Sequence, residues 1–227
     1  MSKPVVQLCR KVRSSAGKLL RIPDDPAVQD RHLIYAIEAE QQTPGAESNS
    51  QPIQEYVERL LPLQAYAREL SLLGLAGRSF TAETYAEVMQ EWLGLDVEIL
   101  RPAASADDAR KIGTTAYDLE GERVTIRVPL RLGWWLYQYT LHHELGHVAA
   151  GHPLPIRSHD GAIESFKEPG RRLARRAPVA GPPTTSLSND TRLHIYEAEA
   201  ELRAKRGMLA GSLGPTVVQT GNLSQVQ

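Results

Sequence analysis

His143-Glu144-Leu145-Gly146-His147 gathers two imidazoles and a carboxylate at a spacing suited to metal-assisted hydrolysis. On a helix, residues four apart stand one above the other, so His143 and His147 can close on a single ion. Glu144 is offset toward the edge of that face, where it can reach a water held by the same ion and act as general base. A pattern this short arises by chance in roughly one chain in sixty of this composition. The surrounding elements therefore have to supply a context.

Two histidines hold zinc poorly, and a catalytic site normally has three protein ligands and a water. His142 lies about 100° around the helix from His143 and cannot share the ion without breaking helical geometry. His152 follows Gly151, so glycine and histidine fall four and five residues after His147, not at the three and six of the metzincin pattern. That register leaves His152 as a cap or a support for the ligands. The better source is the later segment His194 to Glu201. Glu197 and Glu201 are one turn apart on one helical face, with His194 on the same side, whereas Glu199 points roughly opposite. Glu-Ala-Glu-Ala-Glu alone reads as a solvated acidic face. Beside a helix that lacks one ligand, Glu197 becomes the expected third ligand and Glu201 the reserve.

The elements that must position these groups are legible in outline. Residues 1–29 read as a loosely attached basic arm, Asp30 as a cap for a short helix from Arg31 to about Glu40, and residues 41–52 as a polar linker. Apolar residues recur at helical spacing from Ile53 to Leu73, with Pro62 ending or kinking the run. Thr81 reads as the N-cap of a helix that ends at Gly94. Leu95 to Ile99 forms a short strand, and residues 114–119 and 122–128 a hairpin, Val124, Ile126 and Val128 sharing a face. Gly133 precedes a helix from Trp134 to Ala150 that Gly151 terminates and Pro153 keeps from resuming, so the histidine pair lies in its last turns. Residues 153–190 are rich in Pro, Gly, Ser and Arg and hold at most one short helix, around Ile163 to Arg176. Thr191 to Met208 is the last helix, with Asp190 as its cap. Residues 211–227 read as a flexible tail.

Tyr139-Thr140-Leu141-His142-His143-Glu144-Leu145-Gly146-His147-Val148, followed by Gly151-His152, resembles the metal helix of the ImmA/IrrE family of metallopeptidases. Glu197-Ala198-Glu199-Ala200-Glu201-Leu202 resembles that family's third-ligand helix, in which the first glutamate binds the metal. Residues 81–133 are similar to the helix and small sheet that precede the metal helix, and the resemblance covers about residues 81–209. Arg203, Lys205, Arg206 and Gly207 occupy a segment usually more apolar in the family, which leaves the end of that helix either exposed or packed differently. The long connection from His152 to Thr191 also suits M48-type peptidases, which share H-E-x-x-H and a later E-x-E-A but usually continue with Asp where this chain has Glu201.

The resemblance implies an α+β fold. Its zincin-like core has a small antiparallel or mixed sheet packed on the H-E-x-x-H helix and a third-ligand helix, preceded by N-terminal helices. The expected organisation is an N-terminal arm and helical segment over 1–80, a metallopeptidase domain over 81–210 with a 153–190 insertion, and the tail. The implied activity is that of a gluzincin: His143, His147 and Glu197 bind zinc, with manganese or iron also admitted by the ligand set, and Glu144 is the catalytic base. His194, Tyr196, Tyr137 and Tyr139 are candidates to stabilise an oxyanion, and the 122–128 strand, as an edge, to pair with an extended substrate. By resemblance the substrate is a helix-turn-helix repressor, a separate protein, since nothing in 1–80 reads as a DNA-binding domain. A metal-dependent binding or sensor module that sequesters a regulator without cleaving it needs the same ligands but not Glu144. A structural zinc site is disfavoured because such sites fill all four positions with Cys or His.

Bulk composition narrows the partners. The formal net charge of −1 gives no global attraction to nucleic acid or anionic membrane. The basic residues before residue 22 and at 171–176 read as solvated surface. Cys9 is the sole cysteine, which excludes an internal disulfide and a cysteine-based metal site. No run of about 18 apolar residues and no apolar export segment interrupt the chain, so the expected location is cytoplasmic.

Overall fold

The computed structural model describes residues 11–13, 19–21, 51–103, 112–118, 122–159, 161–167 and 187–213. The helix expected over Arg31 to Glu40, the cluster at 171–176 and the tail after Leu213 lie outside them. The chain divides into two compact units, Met1–Tyr56 and Val57–Gln227. In the first unit, β1 (Lys11–Arg13) and β2 (Leu19–Arg21) pair antiparallel. Among the described residues the order continues as helices α1 (Gln51–Leu60), α2 (Leu63–Leu72) and α3 (Ala82–Leu93), strands β3 (Asp96–Leu100), β4 (Thr114–Asp118) and β5 (Arg123–Arg127), and helix α4 (Trp134–Ala150). The hairpin β6 (Leu154–Arg157) and β7 (Ile163–Lys167) and helix α5 (Asn189–Leu213) complete it. The class is mixed α+β, with five helices and small sheets among the described residues, none of these helices being long and apolar enough to cross a membrane.

Local chemistry sets the boundaries. Pro62, which lacks an amide proton and blocks the preceding turn, separates α1 from α2. The Thr81 hydroxyl accepts from the Thr84 amide at 3.3 Å, capping α3, and Gly94 closes that helix at φ +65°. At the start of α5 the cap is Ser188, whose hydroxyl accepts from the Thr191 amide at 3.1 Å. Asp190, the cap expected from sequence, lies inside the first turn instead.

The three-stranded sheet has the order β3-β5-β4, with β5 parallel to β3 and antiparallel to β4. Substrate pairing by residues 122–128 required them to form an edge, and their strand is central instead. Val124 and Ile126 are essentially fully buried, so the most deeply buried strand takes the centre, where neighbours cover both sides. Thr114-Thr115-Ala116-Tyr117-Asp118 takes an edge. Val124, Ile126 and Val128 join Leu141, Leu145 and Val148 of α4, Tyr85, Met89 and Leu93 of α3, and Tyr66, Leu70 and Leu73 from the α2 region in one apolar core.

A second difference concerns residues 163–167, expected within a short helix but paired with β6 as strand β7. Ile163 and Phe166 are partly covered, and the hairpin is fastened to α5 from outside. Asn189 donates to the carbonyls of Ile163 and Glu164, and the Arg192 guanidinium sits 4.5 Å above the Phe166 ring. Those contacts, made across about 25 residues, override weak local preference.

Helices α4 and α5 pack on each other more extensively than any other pair of elements. Gly146 allows this approach: a β-carbon there would lie 3.2 Å from the Cα and carbonyl oxygen of Ala200. Bringing two backbones this close is what lets a short glutamate side chain on α5 meet imidazoles on α4.

Candidate metal centre

His143 and His147 project from the last turns of α4 with their Nε2 atoms 3.2 Å apart. The Glu197 carboxylate of α5 lies 3.2 Å from His143 Nε2 and 3.7 Å from His147 Nε2 through the same oxygen, Oε2. Ligand atoms about 2.0–2.2 Å from a tetrahedral zinc stand roughly 3.4 Å apart, so this triangle has the dimensions of one face of such a site. Two neutral imidazole nitrogens and one carboxylate oxygen are also the donor types the ion prefers. Among the described residues, these three form the group with metal-ligand spacing.

The electrostatics follow from the convergence. Burial by itself raises the Glu197 carboxyl, but the hydrogen bonds and charges of His143 and His147 outweigh it and hold the group well below the usual carboxylate range. Burial works against a charged His143, yet Glu197, Glu144 and Glu201 outweigh it and raise that imidazole above its ordinary value. His147 goes the other way: burial dominates, with His152 and His143 adding to it against Glu197, and the ring is biased toward neutrality.

Glu144 is 8% exposed and comes from the same turn as His143. Its Oε2 accepts a 2.7 Å hydrogen bond from the Thr115 hydroxyl of edge strand β4. Gly113 lies against the other oxygen, where a β-carbon would stand 2.5 Å from Oε1. Strand β4 thus fixes the carboxylate from one side, and the glycine just before it clears space on the other. His143, His147, Glu144 and Glu197 all line one open cleft of about 480 Å³. Thr114 and Thr115 form one wall, and Leu154 and Pro155 of β6 form another.

No protein-family model, curated protein or solved structure matches this chain. The site therefore has to be read from its own geometry.

The remaining sequence candidates separate cleanly. Tyr139 and Tyr196 line the cleft; Tyr137 and His194 do not. Tyr139 is tied to Glu201, and Tyr196 accepts from Arg192 at 3.3 Å. Glu201 lies 3.7 Å from His143 Nδ1, behind the imidazole, which suits support better than ligation. His142 points away, packed at ring distances of 6.0 Å from Phe80 and 5.8 Å from Tyr85 and pressed against Gly207. Burial pushes its pKa down to about 4, against the opposing pull of Glu83, so at neutral pH it is a neutral core side chain. Sequence reasoning missed Thr115, since a threonine in a strand carries no catalytic signature. It also missed the buried arginine of α5. Arg203 is 3% exposed and donates to both oxygens of Glu69 at 2.9 and 2.7 Å and to Glu199 at 3.2 Å. The end of that helix therefore packs differently from an apolar one, as an ion cluster.

Proposed function

We propose that this chain is a metal-dependent endopeptidase with a zincin-like core of the gluzincin type, similar to the ImmA/IrrE peptidases. The observation that carries the reading is the meeting of His143 Nε2, His147 Nε2 and Glu197 Oε2 at ligand spacing, beside a Glu144 carboxylate held in place by Thr115. His143 and His147 would hold the ion through Nε2 and Glu197 through Oε2. A zinc ion there would supply Lewis acidity toward a water and a peptide carbonyl, a role the same ligand set also allows to manganese or iron.

Glu144 takes a proton from the attacking water as the new carbon–oxygen bond forms. It returns that proton to the departing amide nitrogen as the carbon–nitrogen bond breaks, so the carboxylate ends as it began. Thr115 donates only to Oε2, leaving Oε1 for this transfer. Among the described residues β4 is an edge strand beside the cleft, which suits an extended peptide that adds as a strand. Ile112, Leu136, Leu154 and Leu193 give its side chains apolar surroundings. By resemblance the substrate is a separate helix-turn-helix repressor.

The deciding experiment incubates the full chain, loaded with zinc, with a peptide library and with candidate repressors, and reads products by mass spectrometry. Cleavage that a chelator stops and zinc restores is the expected result. A zinc-loaded chain that cuts nothing in either set would remove the peptidase reading and leave the sequestering module.

Metal affinity should also depend on pH with a definite sign. Binding requires His143 deprotonated at Nε2, and its neighbours raise its pKa above the ordinary imidazole value. Affinity is therefore flat in alkaline solution and begins to fall at a higher pH than an unperturbed histidine would give. Each displaced proton steepens the decline toward about tenfold per pH unit. Chelator-competition titrations between about pH 8 and 5.5 check this; affinity unchanged down to the lower limit would contradict it.

A further inference from the structure

His152 is only 4% exposed, and the turn that ends α4 brings it back against the metal ligands. Gly151 adopts φ +65°, its amide donates to the Val148 carbonyl at 3.1 Å, and the His152 amide donates to the His147 carbonyl at 2.9 Å. This is the paired closure that a left-handed glycine permits. It fixes the His152 backbone to that of His147, and the two rings follow, with Nδ1 facing Nδ1 at 3.0 Å. The far side of the His152 ring meets Glu199 Oε2 at 3.2 Å, and one face of it lies against Tyr196 at 4.8 Å.

With both rings neutral, donor and acceptor counting leaves one assignment. Glu199 has Arg203 on its other oxygen, and Arg203 is itself held by Glu69, which also accepts from the Tyr85 hydroxyl at 2.9 Å. Although burial alone raises the Glu199 carboxyl, His152 and Arg203 outweigh it and bring its pKa down to about 2. It is an ionised acceptor. A neutral His152 must therefore donate through Nε2 and accept through Nδ1. The proton between the two rings then belongs to His147 Nδ1, which leaves the lone pair of His147 on Nε2, facing His143 and Glu197.

We propose that His152 and Glu199 are positioning residues: anchored by Arg203 and Glu69, they lock His147 in the Nδ1-protonated tautomer and orientation that a metal ligand needs. The inference rests on the metal-centre reading above and deepens it. It gives the three alternate glutamates of α5 different tasks. Glu197 faces the ion, Glu201 stands behind His143, and Glu199, on the opposite helical face, reaches the site only through His152. Groups that orient a ligating histidine typically change metal affinity by 10–100-fold when removed.

The test needs two readouts. In the metal-free wild type, two-bond proton–nitrogen NMR of the histidine rings should show His147 protonated at Nδ1 and His152 at Nε2. His147 protonated at Nε2 overturns the proposal without any variant. Zinc affinity is then measured by competition with a chelating dye in wild type, His143→Ala, His152→Phe and His152→Gln, each checked for native secondary structure. Phenylalanine keeps the ring against Tyr196 but neither hydrogen bond, and should weaken zinc about 10–100-fold. Glutamine offers one acceptor and one donor, and should recover most of that loss. Equal affinity in wild type and His152→Phe overturns the positioning role and leaves the metal centre standing. Equal affinity in wild type and His143→Ala overturns the metal centre itself.

Discussion

Glu144→Gln is expected to slow peptide hydrolysis by about two to four orders of magnitude, the usual contribution of a general base, while zinc affinity stays within a few-fold of wild type. The substitution is nearly isosteric, and the side-chain oxygen of glutamine can still accept the Thr115 hydroxyl at the position Oε2 occupies, 2.7 Å away. What disappears is the basic oxygen that would take the proton. None of the three ligand atoms changes, since His143, His147 and Glu197 form their triangle without Glu144. Steady-state rates on the best substrate, measured beside a zinc titration, separate the two quantities. The loss should appear in kcat with KM little altered, because the carboxylate acts during bond making and breaking. If Glu144→Gln keeps full biological effect on its partner, hydrolysis is not how the protein works and sequestration becomes the better account.

Arg203→Met should cost about 3–5 kcal/mol of stability, the range for breaking a buried ion pair by removing one member. Arg203 and Glu69 are only 3% and 7% exposed, at the floor of a cleft, so solvent can take over the lost hydrogen bonds only in small part. The guanidinium is held strongly protonated because Glu69 and Glu199 outweigh the penalty of burial. Methionine fills much of the same volume, so the cost arises mainly from two carboxylates left without their cation, not from a cavity. For a unit of this size the melting temperature should fall by about 10 °C. Adding salt should rescue little, since buried pairs are poorly screened. The companion variant Glu69→Gln/Arg203→Met should lie well above the single change, because a neutral amide tolerates the site better than an orphaned charge. Thermal and urea unfolding of the three proteins decide it; an Arg203→Met protein within about 1 kcal/mol of wild type would show that the cluster is not desolvated as described.

The local parts of this molecule were written in short-range pattern. Thr81 and Gly94 mark α3, Gly133 and Gly151 bracket α4, and Pro62 splits α1 from α2, because caps and breakers act within a turn of themselves. The pairing of His143 with His147 is equally local, a consequence of 3.6 residues per turn. Glu197 could be chosen because a ligand must come from some second helix and few segments offer a carboxylate at the right place.

What the sequence left open involves partners far apart along the chain. Whether residues 122–128 form a centre or an edge depends on where β3 and β4 settle, and β5 took the middle because its neighbours bury Val124 and Ile126 best. The β6–β7 hairpin is secured by Asn189 and Arg192 of a later helix, which no window around Ile163 contains. A helical wheel turns Glu199 away from the side of Glu197, yet it has no knowledge of His152, which the left-handed turn at Gly151 swings round to meet it. The basic end of α5 was legible only as exposed or packed differently, and it took the arrival of Glu69, 134 residues away, to bury Arg203. Sequence determined which groups are available and which helix faces they share, since helix geometry is fixed by the backbone. The tertiary structure decided which of them meet, because burial and ion pairing are settled by whatever the rest of the chain brings alongside.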